Sequence, residues 1–144
     1  MADARTGHVH TSDGRRLTYR DNGDPSAPAV VGHHGTPGSR LDGHPDEDAM
    51  LAELGLRLVT YDRPGYGESD PQPGRRVVDA AADVAAIADQ LGIERFAVVG
   101  TSGGGPPRSP ARPGWATASH AWASSSASAR PTTRTSTSPR GWIS

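Results

Sequence analysis

Residues 100 to 104 read Gly-Thr-Ser-Gly-Gly and follow directly on the apolar run Phe-Ala-Val-Val. A G-x-S-x-G pattern behind a buried strand is suited to nucleophilic chemistry. Gly100 and Gly104 let the backbone bend sharply without Cβ clashes, so Ser102 sits strained with its hydroxyl exposed. A helix that begins just past such a turn aims free N–H groups at any developing negative charge. Two other readings compete. A tight strand-to-helix turn can carry a serine incidentally, and a glycine-rich turn after a strand can cradle a phosphate. The phosphate reading fails on residue type: a P-loop needs Lys, and this chain has none. Ser102 also stands where G-x-G-x-x-G requires its second Gly.

Such a serine needs a sheet to hold it. "GHVHTSDGRRLTYRDNG" alternates around Asp13-Gly14, a dipeptide suited to a two-residue hairpin turn, and predicts strands at 7–12 and 15–21. "APAVVGHHG" predicts a short buried strand at 28–33, ending in a loop with Gly35, Pro37 and Gly38. "DEDAMLAELG" predicts a helix with acids in its first turn and Gly55 as its stop. "LRLVTYD" is a further strand, followed by the turn-rich "DRPGYGESDPQPG". In "RVVDAAADVAAIADQLG" the residues Val78, Ala82, Ala85, Ala86 and Leu91 recur at helical spacing before Gly92. "RFAVVG" is uninterrupted and apolar, as a strand covered on both faces requires. Strands alternating with helices imply parallel pairing through crossover helices, so the expected class is α/β: a hairpin, then parallel strands.

Three segments carry a resemblance. His34-Gly35-Thr36-Pro37-Gly38, Asp62-Arg63-Pro64-Gly65-Tyr66-Gly67-Glu68-Ser69 and the Ser102 turn stand in the order and spacing of the first half of an α/β-hydrolase, over residues 7–106. The resemblance implies an incomplete α/β-hydrolase sheet, with Ser102 as nucleophile and the backbone N–H groups of Thr36 and Gly103 as an oxyanion hole. Gly100, Gly104, Gly35 and His34 would support the elbow and the loop. His33 and His34 invite a reading as a catalytic pair or metal site; the resemblance makes His34 a brace for the oxyanion loop. His33, His8, His10 and His44 are then expected to be ordinary surface or loop residues, and Asp62 and Arg63 to tie down their own loop. Asp70 and Asp79 are poor candidates for a triad acid, because neither follows a late strand. Relatives that open epoxides or cleave carbon–halogen bonds generally carry Asp at the elbow. Ser102 therefore implies acyl transfer from a small-molecule ester, lactone, thioester or amide.

Composition narrows the class further. The chain has 144 residues, one domain's worth, and is only 33% hydrophobic. Residues 1–106 hold ten Arg against all sixteen acids, a net charge of −6, which gives no reason to expect nucleic-acid binding. Absence of Cys excludes disulfides and thiolate metal sites. No metal or cofactor is expected. The first residues lack an apolar signal region and no run is long enough for a membrane span, so a cytoplasmic protein without membrane partners is expected.

Residues 107–144 are different in kind. They carry five Arg, no acid, all three Trp and a mixture of Ser, Thr, Ala and Pro without period, which reads as a disordered low-complexity tail. In this family the triad runs Ser, acid, His, yet after Ser102 there is no Asp or Glu and the one His is His120. A shifted reading frame near 105–107 accounts for both facts. Lys is absent and Ala, Gly, Pro and Asp are abundant, as in a GC-rich gene. Ser codons of the form TCN hide xTC, which encodes Val, Leu, Ile or Phe. "ASSSAS" at 123–128 thus hides a buried strand, and "PARPGWAT" at 110–117 can hide A-A-R-L-G-D, a helix end and its turn. The chain as written is expected to be catalytically incompetent. The alternative is a truncated, non-catalytic product or a small binding module.

Overall fold

The computed structural model describes residues 4–102. Five strands form one mixed sheet: β1 (Arg5–His10), β2 (Arg16–Asn22), β3 (Ala29–His33), β4 (Arg57–Tyr61) and β5 (Phe96–Gly100). Helix α1 (Glu47–Leu54) joins β3 to β4, and a 3-10 turn (Val77–Asp79) running into α2 (Ala80–Gln90) joins β4 to β5. The spatial order is β1-β2-β4-β3-β5. β1 pairs with β2 and β2 with β4 antiparallel, whereas β3 pairs parallel with both β4 and β5. The expected hairpin followed by parallel strands with crossover helices is therefore present.

Alternation along the strands builds the core. Leu17 and Tyr19 of β2, Val31 of β3, Val59 and Tyr61 of β4 and Phe96 of β5 point to one face, where Val84, Ile87 and Ala88 of α2 cover them. Each of these is at most 8% exposed, so this layer supplies most of the apolar burial that holds the sheet. Helix α1 ends as the sequence requires: Gly55 takes the left-handed conformation at φ 62°, and its N–H closes the last turn on the Ala52 carbonyl.

Two expectations need correction. Val78 is 42% exposed and Ala82 also faces solvent; the buried face of α2 is Ala80, Asp83, Val84, Ile87 and Ala88. Asp83 is inside because Arg15 and Arg75, both distant from it in the chain or beyond the helix, bring guanidinium groups to its two oxygens at 3.1 and 2.5 Å. The hairpin turn is also wider than two residues. β1 ends at His10 and β2 starts at Arg16, and of the central pair Gly14 alone has a positive φ. Asp13 is instead held by Arg15 Nε at 2.7 Å and by the Thr11 hydroxyl, and those two bonds lower its carboxyl pKa to about 2.

Candidate active site

β3, β4 and β5 run parallel, so the loops leaving them gather at one end of the sheet. Those three loops carry the three segments singled out above. Beyond β5, the Thr101 N–H donates to the His33 carbonyl at 3.1 Å, which extends the pairing to the brink of Ser102. Ser102 is exposed and has φ +49°, the one non-glycine positive φ among the described residues. A residue with a Cβ pays strain energy there, which the surrounding structure must sustain. Gly35 lies against this turn: a Cβ at Gly35 would stand 3.2 Å from the Thr101 carbonyl oxygen and 3.6 Å from Ser102 Cβ. Glycine at 35 is what allows the loop after β3 to come this close. A cavity of about 190 Å³ adjoins the elbow, lined by Gly32, His34, Leu58, Thr60, Val99 and Thr101.

His34 is buried and bonds through both ring nitrogens. The Arg63 backbone N–H donates to Nε2 at 3.0 Å, so the ring proton is assigned to Nδ1, which donates to the Gly35 carbonyl at 2.7 Å. Through these two bonds the ring links the 34–36 loop to the 62–69 loop. Arg63 reaches across as well. Its Nη2 donates to the Gly35 carbonyl at 3.2 Å and to Thr36 Oγ1 at 2.5 Å. Its guanidinium lies over the Tyr66 ring at 5.1 Å, and Tyr66 in turn meets the His34 ring edge-on at 5.1 Å. Arg63 thus packs on Tyr66 of its own loop and also ties that loop to the neighbouring one.

Asp62 does serve its own loop. It is fully buried and accepts from the Glu68 N–H at 3.0 Å, the Arg40 N–H at 2.7 Å and Arg40 Nη1 at 2.5 Å. The loop then fastens to β2: the Thr18 N–H donates to Ser69 Oγ at 2.9 Å and the Arg16 N–H to Asp70 at 2.8 Å. Asp70 is therefore a structural fastener. Asp79 accepts from the Arg76 N–H ahead of α2 at 2.8 Å, and that bond lowers its pKa. Arg40 was not singled out by the sequence reading, because nothing in "PGSR" marks an arginine whose partner lies 22 residues on.

His33 is the clearest miss. It is 4% exposed, not a surface residue, since alternation from Ala29 and Val31 turns it inward toward Tyr61. Tyr61 Oη lies 3.1 Å from its Nδ1, and the two rings meet edge-on at 5.3 Å. Burial, with the charges of Arg63, Arg75 and His34 nearby, lowers the His33 pKa from 6.5 to about 4. Between those values the unfolded chain takes up a proton that the folded chain refuses. Stability is therefore complete above pH 6.5 and falls as pH drops toward 4, by an order of 3 kcal/mol in all. In a protein carrying the whole domain, urea midpoints with His33 and with His33→Asn measured from pH 7 to 4 should converge as the His33 form loses this contribution; parallel curves would refute it. His8, His10 and His44 are exposed, as expected.

A sequence profile of the alpha/beta hydrolase fold matches residues 28–107, which contain all three segments. The chain belongs to the α/β-hydrolase family. It is 38% identical over 100 residues to a non-heme chloroperoxidase of Streptomyces lividans, a match covering 69% of this chain and 36% of that one. Against the bifunctional esterase/perhydrolase DCH of Acinetobacter calcoaceticus the identity is 39%, again over 69% of this chain and 36% of the relative. Among solved structures, an epoxide hydrolase from an endophytic Streptomyces superposes with a TM-score of 0.60 at 31% identity, covering 72% of this chain and 31% of that one. The chain spans about a third of the length of the curated relatives it matches.

Within this α/β-hydrolase the structure brings Gly35, Thr36, His34 and Ser102 to one end of the sheet. Gly103, Gly104, His120 and the stretch 107–144 lie outside the described residues. Among the described residues no group of three or more His, Asp or Glu is arranged to hold a metal ion, and no helix is long and apolar enough to cross a membrane.

Proposed function

We propose that this α/β-hydrolase is, in its intact form, a serine hydrolase acting by acyl transfer on a small-molecule ester, lactone, thioester or amide. The observation that carries the reading is Ser102 itself: φ +49° in a G-x-S-x-G turn at the end of β5, with the Gly35 loop packed against it. In the reaction Ser102 Oγ bonds to the acyl carbon as its proton passes to a base. The carbonyl oxygen becomes an oxyanion held by the N–H groups of Thr36 and Gly103. The leaving alcohol, thiol or amine then takes the proton, and water repeats the sequence on the acyl-enzyme. A hydroxyl at the elbow, in place of a carboxylate, favours attack at acyl carbon over displacement at an epoxide or halide carbon.

The chain as written supplies neither base nor acid after Ser102 apart from His120. Residues 107–144 are an out-of-frame translation, and residues 1–106 are the N-terminal half of the hydrolase domain. A second reading, a non-catalytic product or small binding module, is favoured by the same lack of triad partners. Among the described residues β5 is an edge strand, with Ala97 and Val99 only half covered, which favours association of the 144-residue product over a cooperative fold.

Resequencing the gene from the Gly100 codon to a few hundred bases past Ser144 decides between them. The expected result is one frame that continues from the elbow into a helix, further strands, an acid and a late His. Its product, called the restored-frame protein below, should hydrolyse p-nitrophenyl acetate, and the 144-residue chain should not. If no frame continues the fold, the hydrolase reading is lost and the non-catalytic one stands.

A further inference from the structure

We infer that Arg63 is a positioning residue of the oxyanion loop: with His34 it grips the Gly35 carbonyl and thereby aims and polarises the Thr36 N–H. The inference rests on the reading of Ser102 and Thr36 just given. Gly35 C=O and Thr36 N–H are two ends of one peptide unit, and that unit is trans. In a planar trans peptide the two bonds point in opposite directions, so whatever fixes the oxygen fixes the direction of the N–H. Two donors fix it here, His34 Nδ1–H at 2.7 Å and Arg63 Nη2–H at 3.2 Å. The second carries a full positive charge. Hydrogen bonds to a carbonyl draw electron density from the amide nitrogen through the partial double bond, and the N–H becomes a stronger donor. A positive group on the far side of the peptide thus strengthens the hole without entering it.

Further contacts hold the clamp. Thr36 Oγ1 receives Arg63 Nη2 at 2.5 Å and lies 3.3 Å from Tyr66 Oη. Tyr66 supports the guanidinium from below and the His34 ring from its edge, both at 5.1 Å. Gly35 also abuts the Thr101 carbonyl and Ser102 Cβ. The oxyanion loop is therefore held between the nucleophile turn and one rigid stack built by residues 63–66. An arginine suits the place because one planar group donates twice and stacks at once. A lysine offers a point charge and no stacking face.

The test uses the restored-frame protein with p-nitrophenyl acetate as substrate, phenylboronic acid as a tetrahedral anionic mimic on Ser102, and fluorophosphonate labelling to count active sites. Arg63→Met should lower kcat per labelled site by about tenfold to a hundredfold, with KM within about twofold, because the lost interaction acts on the oxyanion alone. The inhibition constant of phenylboronic acid should rise by the same factor, and Arg63→Lys should recover only part of the loss. Tyr66→Phe, which removes just the contact to Thr36 Oγ1, should fall between Arg63→Met and wild type. If Arg63→Met reduces only the number of labelled sites, leaving kcat per site and the boronate constant unchanged, Arg63 is merely structural and the inference fails. If Ser102→Ala leaves turnover intact, the reading of the site fails and takes this inference with it.

Discussion

Ser102→Ala in the restored-frame protein should lower kcat by about a million-fold, the size expected when the nucleophile of a cooperating triad is removed. At room temperature that is about 8 kcal/mol of barrier. The size of the effect follows from how little a lone serine can do. Its hydroxyl is a weak nucleophile near neutral pH, and attack depends on a base, an oxyanion hole and the backbone that points the oxygen outward. The structure supplies the last of these at measurable expense. A side chain at φ +49° is strained, by roughly 1–3 kcal/mol. Ser102→Gly should therefore raise the unfolding free energy by about 1 kcal/mol while abolishing turnover, because glycine tolerates that φ. Ser102→Ala, which keeps the Cβ, should leave stability near wild type. Stopped-flow burst kinetics and urea titration on the two variants read both quantities. A glycine variant no more stable than the alanine variant would mean the turn is not strained, and the strongest support for the nucleophile reading would go. The 144-residue chain, having no triad acid or base beyond His120, should show no acyl-enzyme burst with p-nitrophenyl acetate.

The contrast between what the sequence disclosed and what it hid follows a physical division. Backbone direction is written locally. Apolar runs marked β3, β4 and β5, and Gly55 and Gly92, both at positive φ, marked the helix ends. The loops after β3 and β4 were legible because Gly35 permits a close approach and Gly65 and Gly67 take a positive φ that few other residues adopt. Burial of polar groups is written in pairs that lie far apart. Asp83 looks like a surface acid until Arg15 and Arg75 are placed beside it. His33 looks like part of a loop until strand parity sets it against Tyr61. In an alanine-rich helix such as α2 apolar spacing is also ambiguous, since any rotation presents an alanine face. The two arginines, reaching Asp83 from outside the helix, accompany the rotation actually adopted. Arg63 belongs to this second kind. It sits inside a recognisable segment, yet it reaches out to the carbonyl of Gly35 and the hydroxyl of Thr36.

Asp62 is where such a distant pairing should weigh most on stability. Asp62→Ala should cost about 3–5 kcal/mol, the loss usual when one partner of a buried ion pair is removed. Set against the 5–15 kcal/mol typical of a whole domain, that is enough to unfold a marginal one. The carboxylate is fully buried, and all three of its recorded partners are donors: the Arg40 N–H on Oδ1, and Arg40 Nη1 with the Glu68 N–H on Oδ2. The Arg40 guanidinium would keep only the exposed Glu68 carboxylate, at 2.8 Å. Asp62→Asn should be nearly as damaging, since either orientation of an amide turns its NH2 toward a donor already in place. Lengthening to Glu is blocked by Gly67, which sits at φ +49° with its Cα so near the Asp62 carboxylate that even a Cβ would collide with it. The spacing of Asp62 and Gly67 is thus one device: an acceptor that gathers the loop, and the glycine that lets the loop close over it. Because Arg63 and Tyr66 stand on this loop, the Asp62 variants should also lose turnover in the restored-frame protein, and the loss should track the urea midpoint. An Asp62→Asn variant within about 1 kcal/mol of wild type, the worth of a single ordinary hydrogen bond, would show that the carboxylate does not organise the loop.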